Sequence, residues 1–262
     1  LYVDRFSKNL KGFMQKIGYL EELGVNYVHL MPLLKMPQEA NDGGYAVSDY
    51  RTVEKRFGSM ADIRKIAKTF RAKNMLLELD LVLNHTSNEH EWAKKALQGE
   101  KEYQDMYYMY DDRSMPDAFE QTLPEIFPEN APGNFTYLPT INKWVFTVFN
   151  TYQWDLNYTN PKVFIEMIKI LLNLANQGVD VLRLDAVAFM WKKLGTQSQN
   201  LDEAHILLQL FKACTKIAAP GAIFKAEAIV QPIEIVKYLG GGTVDECEIA
   251  YNASYMVYLW DA

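Results

Sequence analysis

The stretch LLELDLVLNHTS, residues 76–87, decides the fold. Leu76, Leu77, Leu79, Leu81, Val82 and Leu83 make a near-continuous apolar run, the pattern of a parallel strand covered on both faces. Asp80 interrupts the run, and Asn84 and His85 stand at its C-terminal edge. Two later stretches repeat the theme: GVDVLRLDAV (178–187) carries Arg183 and Asp185, and AIFKAEAIV (222–230) carries Glu227. Apolar strands that bring acids toward their C-terminal ends describe an α/β enzyme with a carboxylate-rich site.

Working outward, strand and helix patterns alternate. LYVDRF (1–6) reads as a short strand, residues 9–23 as a helix stopped by Gly24, and VNYVHLMPL (25–33) as a strand. Ser59 and Asp62 form a capping box ahead of a helix carrying Ile63, Ile66, Ala67 and Phe70, and Asn74 is a left-handed stop. Asn160-Pro161 is a cap followed by a first-turn proline. Asn200 with Glu203 opens another helix, Pro232 a short one ending at the glycines 240–242, and DECEIAY (245–251) reads as a sixth strand. Repeated βα units imply a parallel sheet, and the absence of a dinucleotide or Walker glycine loop favours a (β/α)8 TIM barrel over a doubly wound sheet. Residues 1–85 and 160–262 are then the two barrel parts. Residues 86–159, rich in Tyr, Asp, Pro and Asn, are expected to form an inserted subdomain between the third strand and the third helix.

Composition narrows the partners. A net charge of −6 argues against a nucleic-acid backbone, and no apolar run approaches the ~18 residues of a membrane helix. Cys214 and Cys247 stand apart in no metal or redox spacing and are expected to be reduced thiols. Asp111-Asp112 lacks the ligand comb of a calcium site, so no metal is expected. His29 reads as a satisfied core residue, His90 and His205 as helix surface or packing residues, and the Tyr cluster at 103–110 as subdomain packing.

In a barrel the C-terminal strand ends converge on one pocket, which would gather Asp80, Asn84, His85, Arg183, Asp185 and Glu227. Arg183, two residues before Asp185, shares its side of the strand and is expected to hold that carboxylate ionised. Glu227, in an apolar setting, is expected to keep its proton. One carboxylate anion and one carboxylic acid are what a retaining glycosidase requires.

These segments resemble the signatures of the α-amylase clan, glycoside hydrolase family 13. LDLVLNH is similar to its first signature, GVDVLRLDAV to its second, and EAIVQP (227–232) to its third. GGYAVSDY (43–50) resembles the segment after the second strand, and QWDLN (153–157) the motif that ends the inserted subdomain. YVDRFSKNLKG, HLMPLLKMP, NHTSNEHEWA, PEIFP (124–128) and RLDAVAFMWKKLGT resemble the amylosucrases, the sucrose-consuming glucansucrases of that family. The resemblance implies Asp185 as nucleophile and Glu227 as acid/base. It implies Asp42 and His85 holding the glucosyl ring, Tyr45 stacking on it, Phe149 lining the pocket and Arg183 orienting Asp185. Ile229 and Val230 would border the fructosyl or acceptor side, with Asp80 and Asn84 in support. Sucrose and α-glucan acceptors are the implied partners, and no organic cofactor is needed. A sucrose hydrolase, another clan glycosidase and a non-catalytic barrel subunit are the alternatives.

The family's fourth signature, a His-Asp pair, is not found here, and the arginine expected to face Asp42 would also lie beyond residue 262. The resemblance therefore implies a barrel truncated after about the sixth strand, and residues 1–262 alone are expected to be inactive and poorly folded.

Overall fold

The computed structural model describes residues 1–240 and 244–261. Its centre is a five-stranded sheet in the order Tyr27–Leu30, Leu76–Val82, Val181–Asp185, Ile223–Ala226 and Ile249–Ala250, every pairing parallel. The architecture is that of a TIM-barrel family α/β domain, with chain order and spatial order running together around the sheet.

Register separates the two faces of this sheet. His29 lies beside Glu78, Asp80 beside Arg183, and Arg183 beside Lys225, so these residues share one face. Leu77, Leu79, Leu81, Leu182, Leu184, Phe224 and Ala226 alternate with them and face the other way, into the main core. Helices cover that apolar face: Met60–Ala72, Pro161–Asn176 and Asp202–Ala218 contribute Ile63, Ile66, Phe70, Leu171, Leu174, Leu208 and Phe211 to the same cluster. Each leucine so buried contributes about 1.5–3 kcal/mol. The Leu76–Val82 strand is thus covered on both faces, as its pattern implies, but the second face is buried charge.

Local chemistry sets most element ends. Ser59 and Asp62 form the reciprocal capping box, and Asn160 caps the helix whose first residue is Pro161. Asn74 has φ 54°, the left-handed stop read from the sequence.

Three readings change. LYVDRF is not a strand: Val3–Ser7 is helical, and Leu1 meets the sheet edge, its amino group donating to His29 O at 2.7 Å and its carbonyl accepting from Met31 N at 3.0 Å. In so short a stretch period 2 and period 3.6 are hard to separate, and burial of Val3 with partly buried Phe6, three residues on, satisfies a helix. The helix expected over 9–23 is two, Leu10–Gln15 and Ile17–Glu22, because Lys16 N bonds the carbonyl three residues back, Phe13 O, in a 3₁₀ turn. Asn200 is not a cap. The helix starts at Asp202, and the Asn200 amide instead donates to Glu234 Oε2 at 2.6 Å and accepts from the Tyr238 hydroxyl at 2.8 Å. Gly240, with φ 76°, follows the short turn over Val236–Leu239, whereas Gly241 and Gly242 lie outside the described residues, as does Ala262.

Beyond the Leu76–Val82 strand the chain leaves the sheet. His85–Ser87 pairs antiparallel with Gln153–Asp155, closing off the intervening segment. That segment holds three helices and a three-stranded antiparallel sheet in the order Met109–Tyr110, Lys143–Phe146, Phe135–Leu138. It has a core of its own around Tyr108, Phe119, Phe135, Phe146 and Val148. Among the described residues no helix is long and apolar enough to cross a membrane.

Candidate active site

The strand ends deliver their polar residues into one cleft of about 280 Å³, lined by Asp42, Tyr45, His85, Phe127, Phe149, Gln153, Arg183, Asp185, Ala186 and Glu227. Asp42 and Tyr45 come from a 3₁₀ turn over Asp42–Gly44. Gly44 is required there: its φ is 101°, and a Cβ would stand 2.6 Å from the Pro32 side chain.

Arg183 organises the floor. Its Nη1 donates to Asp80 Oδ1 at 2.6 Å and to Asp185 Oδ1 at 2.8 Å, while Nη2 stands 3.9 Å from Glu227 Oε1. Nε donates to the Tyr251 hydroxyl at 3.1 Å, and the Tyr45 ring centroid lies 5.3 Å from the guanidinium. The second oxygen of Asp80 meets His29 Nε2 at 2.7 Å, so His29 is the satisfied core residue expected. Asp80 is therefore shared between two partners and turned away from the cleft, a supporting position.

Glu227 follows the Ile223–Ala226 strand and reaches across to its neighbour: its Oε2 accepts from Ala186 N at 3.0 Å. Ala186, directly after Asp185, holds φ 54° and ψ 33°, a left-handed conformation that costs a non-glycine residue about 1–2 kcal/mol. This turn aims the amide at Glu227, a strained geometry adjacent to the reactive groups.

The ionisation of Asp185 differs from the expectation. Burial pushes its carboxyl up to about 7, the nearby Glu227 charge adds to the rise, and Arg183 only opposes it. The sequence shows Arg183 two residues away but not how deeply Asp185 is buried or how close Glu227 comes, so residue order alone makes the arginine the dominant influence.

His85 closes one wall. Asn84 Nδ2 lies 3.2 Å from its Nδ1; Tyr45 O and Gln153 Nε2 lie 3.2 Å and 3.0 Å from its Nε2. Burial, aided by the Lys192 charge, lowers its pKa to about 3, so the ring is neutral. Phe149 packs edge-on against it, with ring centroids 5.4 Å apart. Gln153 Nε2 also donates to Asp42 Oδ2 at 3.2 Å, tying the turn to the returning strand.

Ile229 and Val230 are not among the residues lining this cleft. Ile229 is 71% exposed, and Val230 packs partly buried against the main core. Gln153, Phe127, Tyr251 and Lys192 were missed. Of these, Gln153 lay within the recognised QWDLN motif and Phe127 within PEIFP, so a signal for both existed. Among the described residues no cluster of His, Cys, Asp and Glu has the arrangement of a metal site. Cys214 and Cys247 are free thiols.

Comparison with known proteins gives a consistent picture. The family described as alpha amylase, catalytic domain, matches residues 5–258. The glucosylglycerate phosphorylase of Spirochaeta thermophila is 33% identical over 100% of this chain and 43% of its own length. The trehalose synthase/amylase TreS of Mycolicibacterium smegmatis is 32% identical over 95% of this chain and 41% of its own. The trehalulose synthase MutB of Pseudomonas mesoacidophila superposes with a TM-score of 0.81 at 26% identity, covering 93% of this chain and 45% of that one. A MutB mutant has been solved in complex with the substrate sucrose. The chain spans less than half the length of these relatives.

Proposed function

Because this chain belongs to the α-amylase catalytic-domain family, we propose that it carries the nucleophile and the acid of a retaining α-glucosyl transfer. The observation that carries the reading is the convergence of Asp185 and Glu227, from neighbouring strands, on one guanidinium in one cleft. Asp185 attacks the anomeric carbon and forms a β-glucosyl ester, while Glu227 protonates the departing oxygen. Glu227 then takes the proton of the incoming hydroxyl as the ester is opened from the same face. Asp185 acts as the anion, the form that the Arg183 guanidinium favours by donating to its Oδ1 at 2.8 Å. Asp42 and His85 hold the glucosyl ring, Tyr45 presents an aromatic face to its apolar side, and Phe149 lines the pocket.

The donor we propose is sucrose, with an α-1,4-glucan as acceptor and fructose as the leaving group. Support comes from the run of motifs that resemble those of the amylosucrases and from the sucrose complex of the structurally similar MutB. A second reading, transfer of the glucosyl unit to phosphate, is favoured by the 33% identity to a phosphorylase. Incubating the full-length protein with sucrose, with and without phosphate, separates them. Fructose in excess of glucose with accumulating glucan supports the transferase, and equal fructose and glucose makes it a hydrolase. Glucose 1-phosphate formed only with phosphate supports the second reading. No fructose under any condition discards sucrose.

A further inference from the structure

Behind the cleft wall lies a buried polar cluster that the reaction itself does not use. Lys192 and Asp155 form an ion pair, Nζ to Oδ2 at 2.6 Å, with both side chains wholly excluded from solvent. Nζ also donates to Asn84 Oδ1 at 3.0 Å and to Phe189 O at 2.5 Å. An ammonium has three protons and no lone pair, and here three oxygens receive them. Asp155 is equally well used: Oδ2 also accepts from Asn84 Nδ2 at 3.1 Å, and Oδ1 from Val148 N at 3.2 Å.

Asn84 is therefore held at both ends. Its carbonyl must face Lys192, a donor, and its amino group must face Asp155, an acceptor, so turning the amide over would set like against like twice. The amino group so fixed is also the group 3.2 Å from His85 Nδ1. We infer that Lys192 is a positioning residue that acts through Asn84 to hold His85 as the tautomer with its proton on Nε2.

The other side of the ring offers one acceptor, Tyr45 O, and one donor, the Gln153 amino group, so this tautomer makes two hydrogen bonds, to Asn84 and Tyr45, against one for its rival. Nε2 faces the carbonyl oxygen of Tyr45, which can only accept. In the rival tautomer Nε2 would accept from Gln153 Nε2, but Nδ1–H would then point at the Asn84 amino group. Lys192 and Asp155 prevent the rotation that would relieve that clash. The consequence is a hydrogen-bond donor at the cleft wall, suited to a sugar hydroxyl oxygen. Only that consequence rests on the proposed function; the tautomer does not.

The test is nitrogen NMR of the full-length protein with isotope-labelled histidine, the His85 signals being identified by their loss in His85→Gln. The wild type is expected to show a protonated Nε2 and a bare Nδ1. In Asn84→Asp the carboxylate can only accept, so the proton is expected to move to Nδ1. In the paired variant Lys192→Met/Asp155→Asn, which leaves no lone buried charge, the amide loses both anchors and both tautomers should be populated. A wild-type proton on Nδ1, or wild-type signals in the folded paired variant, would overturn the inference. Should the paired variant not fold, Asn84→Asp decides, and an unmoved proton there overturns it. No turnover is needed, so a failure of the proposed function leaves this result readable.

Discussion

The two faces of the central sheet are made by alternate residues of the same strands, yet they follow different rules. Leu77, Leu79, Leu182, Leu184 and Phe224 face the helices and add stability in proportion to the area they remove from water. His29, Glu78, Asp80, Arg183, Asp185 and Lys225 occupy the opposite face, where each charge must be desolvated and then matched by a partner. Lys225 and Glu78 are such a match, 2.5 Å apart across the intervening Val181–Asp185 strand. A face built this way is weak support for a fold and strong support for chemistry. Truncation on either face should therefore cost stability, but only the inner face should govern activity.

The largest effect that could break this division is on turnover. Asp185→Asn is expected to lower kcat by about 10⁴-fold or more, at least ~5 kcal/mol of barrier, in a protein that still folds. Near-normal rates would remove Asp185 from the mechanism.

Truncation on either face sharpens the contrast. Asp80→Ala leaves Arg183 and His29 without their shared acceptor, and breaking such a buried pair costs about 3–5 kcal/mol. Leu182→Ala opens a cavity on the other face at a cost of about 2–5 kcal/mol. Denaturant melts should show comparable losses, but kinetics on the folded fraction should separate them. Leu182→Ala should retain kcat within a few fold, and Asp80→Ala should lose it. Equal kinetic damage from both would erase the distinction between the faces.

The pH dependence of stability tests the burial of Asp185. Its carboxyl keeps a proton up to about 7 in the folded chain, against about 4 when unfolded. The folded state thus binds more protons between those values, so this group's contribution is complete below about pH 4 and is lost as the pH rises through 7. Asp185→Asn should accordingly stabilise the protein relative to wild type at pH 8, on the order of a few kcal/mol, and much less at pH 5. A difference that does not grow with pH would contradict the raised carboxyl.

The smallest expected effect concerns the turn between the two carboxylates. Ala186→Gly should relieve the left-handed strain and raise stability by about 1 kcal/mol, measured as a higher denaturation midpoint. A loss of stability would mean that the methyl group matters more than the strain.

Much of this was legible from residue order. Three apolar runs ending in acids announce parallel strands, and the Ser59–Asp62 box and Asn160-Pro161 mark helix starts because capping is local chemistry. Seven residues read as a site, Asp42, Tyr45, His85, Phe149, Arg183, Asp185 and Glu227, line the same cleft. What escaped depends on approach in space. Lys192 sits beside Lys193 with nothing local to mark it, and its partner Asn84 lies 108 positions away. The Arg183–Asp185 spacing suggests an ionised acid, but Glu227 and burial outweigh the arginine. LYVDRF carries too few residues for its period to be read, and the packing of Val3 decides for helix.

The most direct test of the inner face as a retaining glycosyl-transfer site is to trap the ester. A Glu227→Gln variant of the full-length protein, treated with 5-fluoro-α-glucosyl fluoride, should accumulate a glucosyl adduct, since this donor needs no acid to depart. Peptide mass spectrometry should find the adduct on Asp185. A folded variant that consumes the reagent with no adduct, or with the adduct on another carboxylate, would contradict the account.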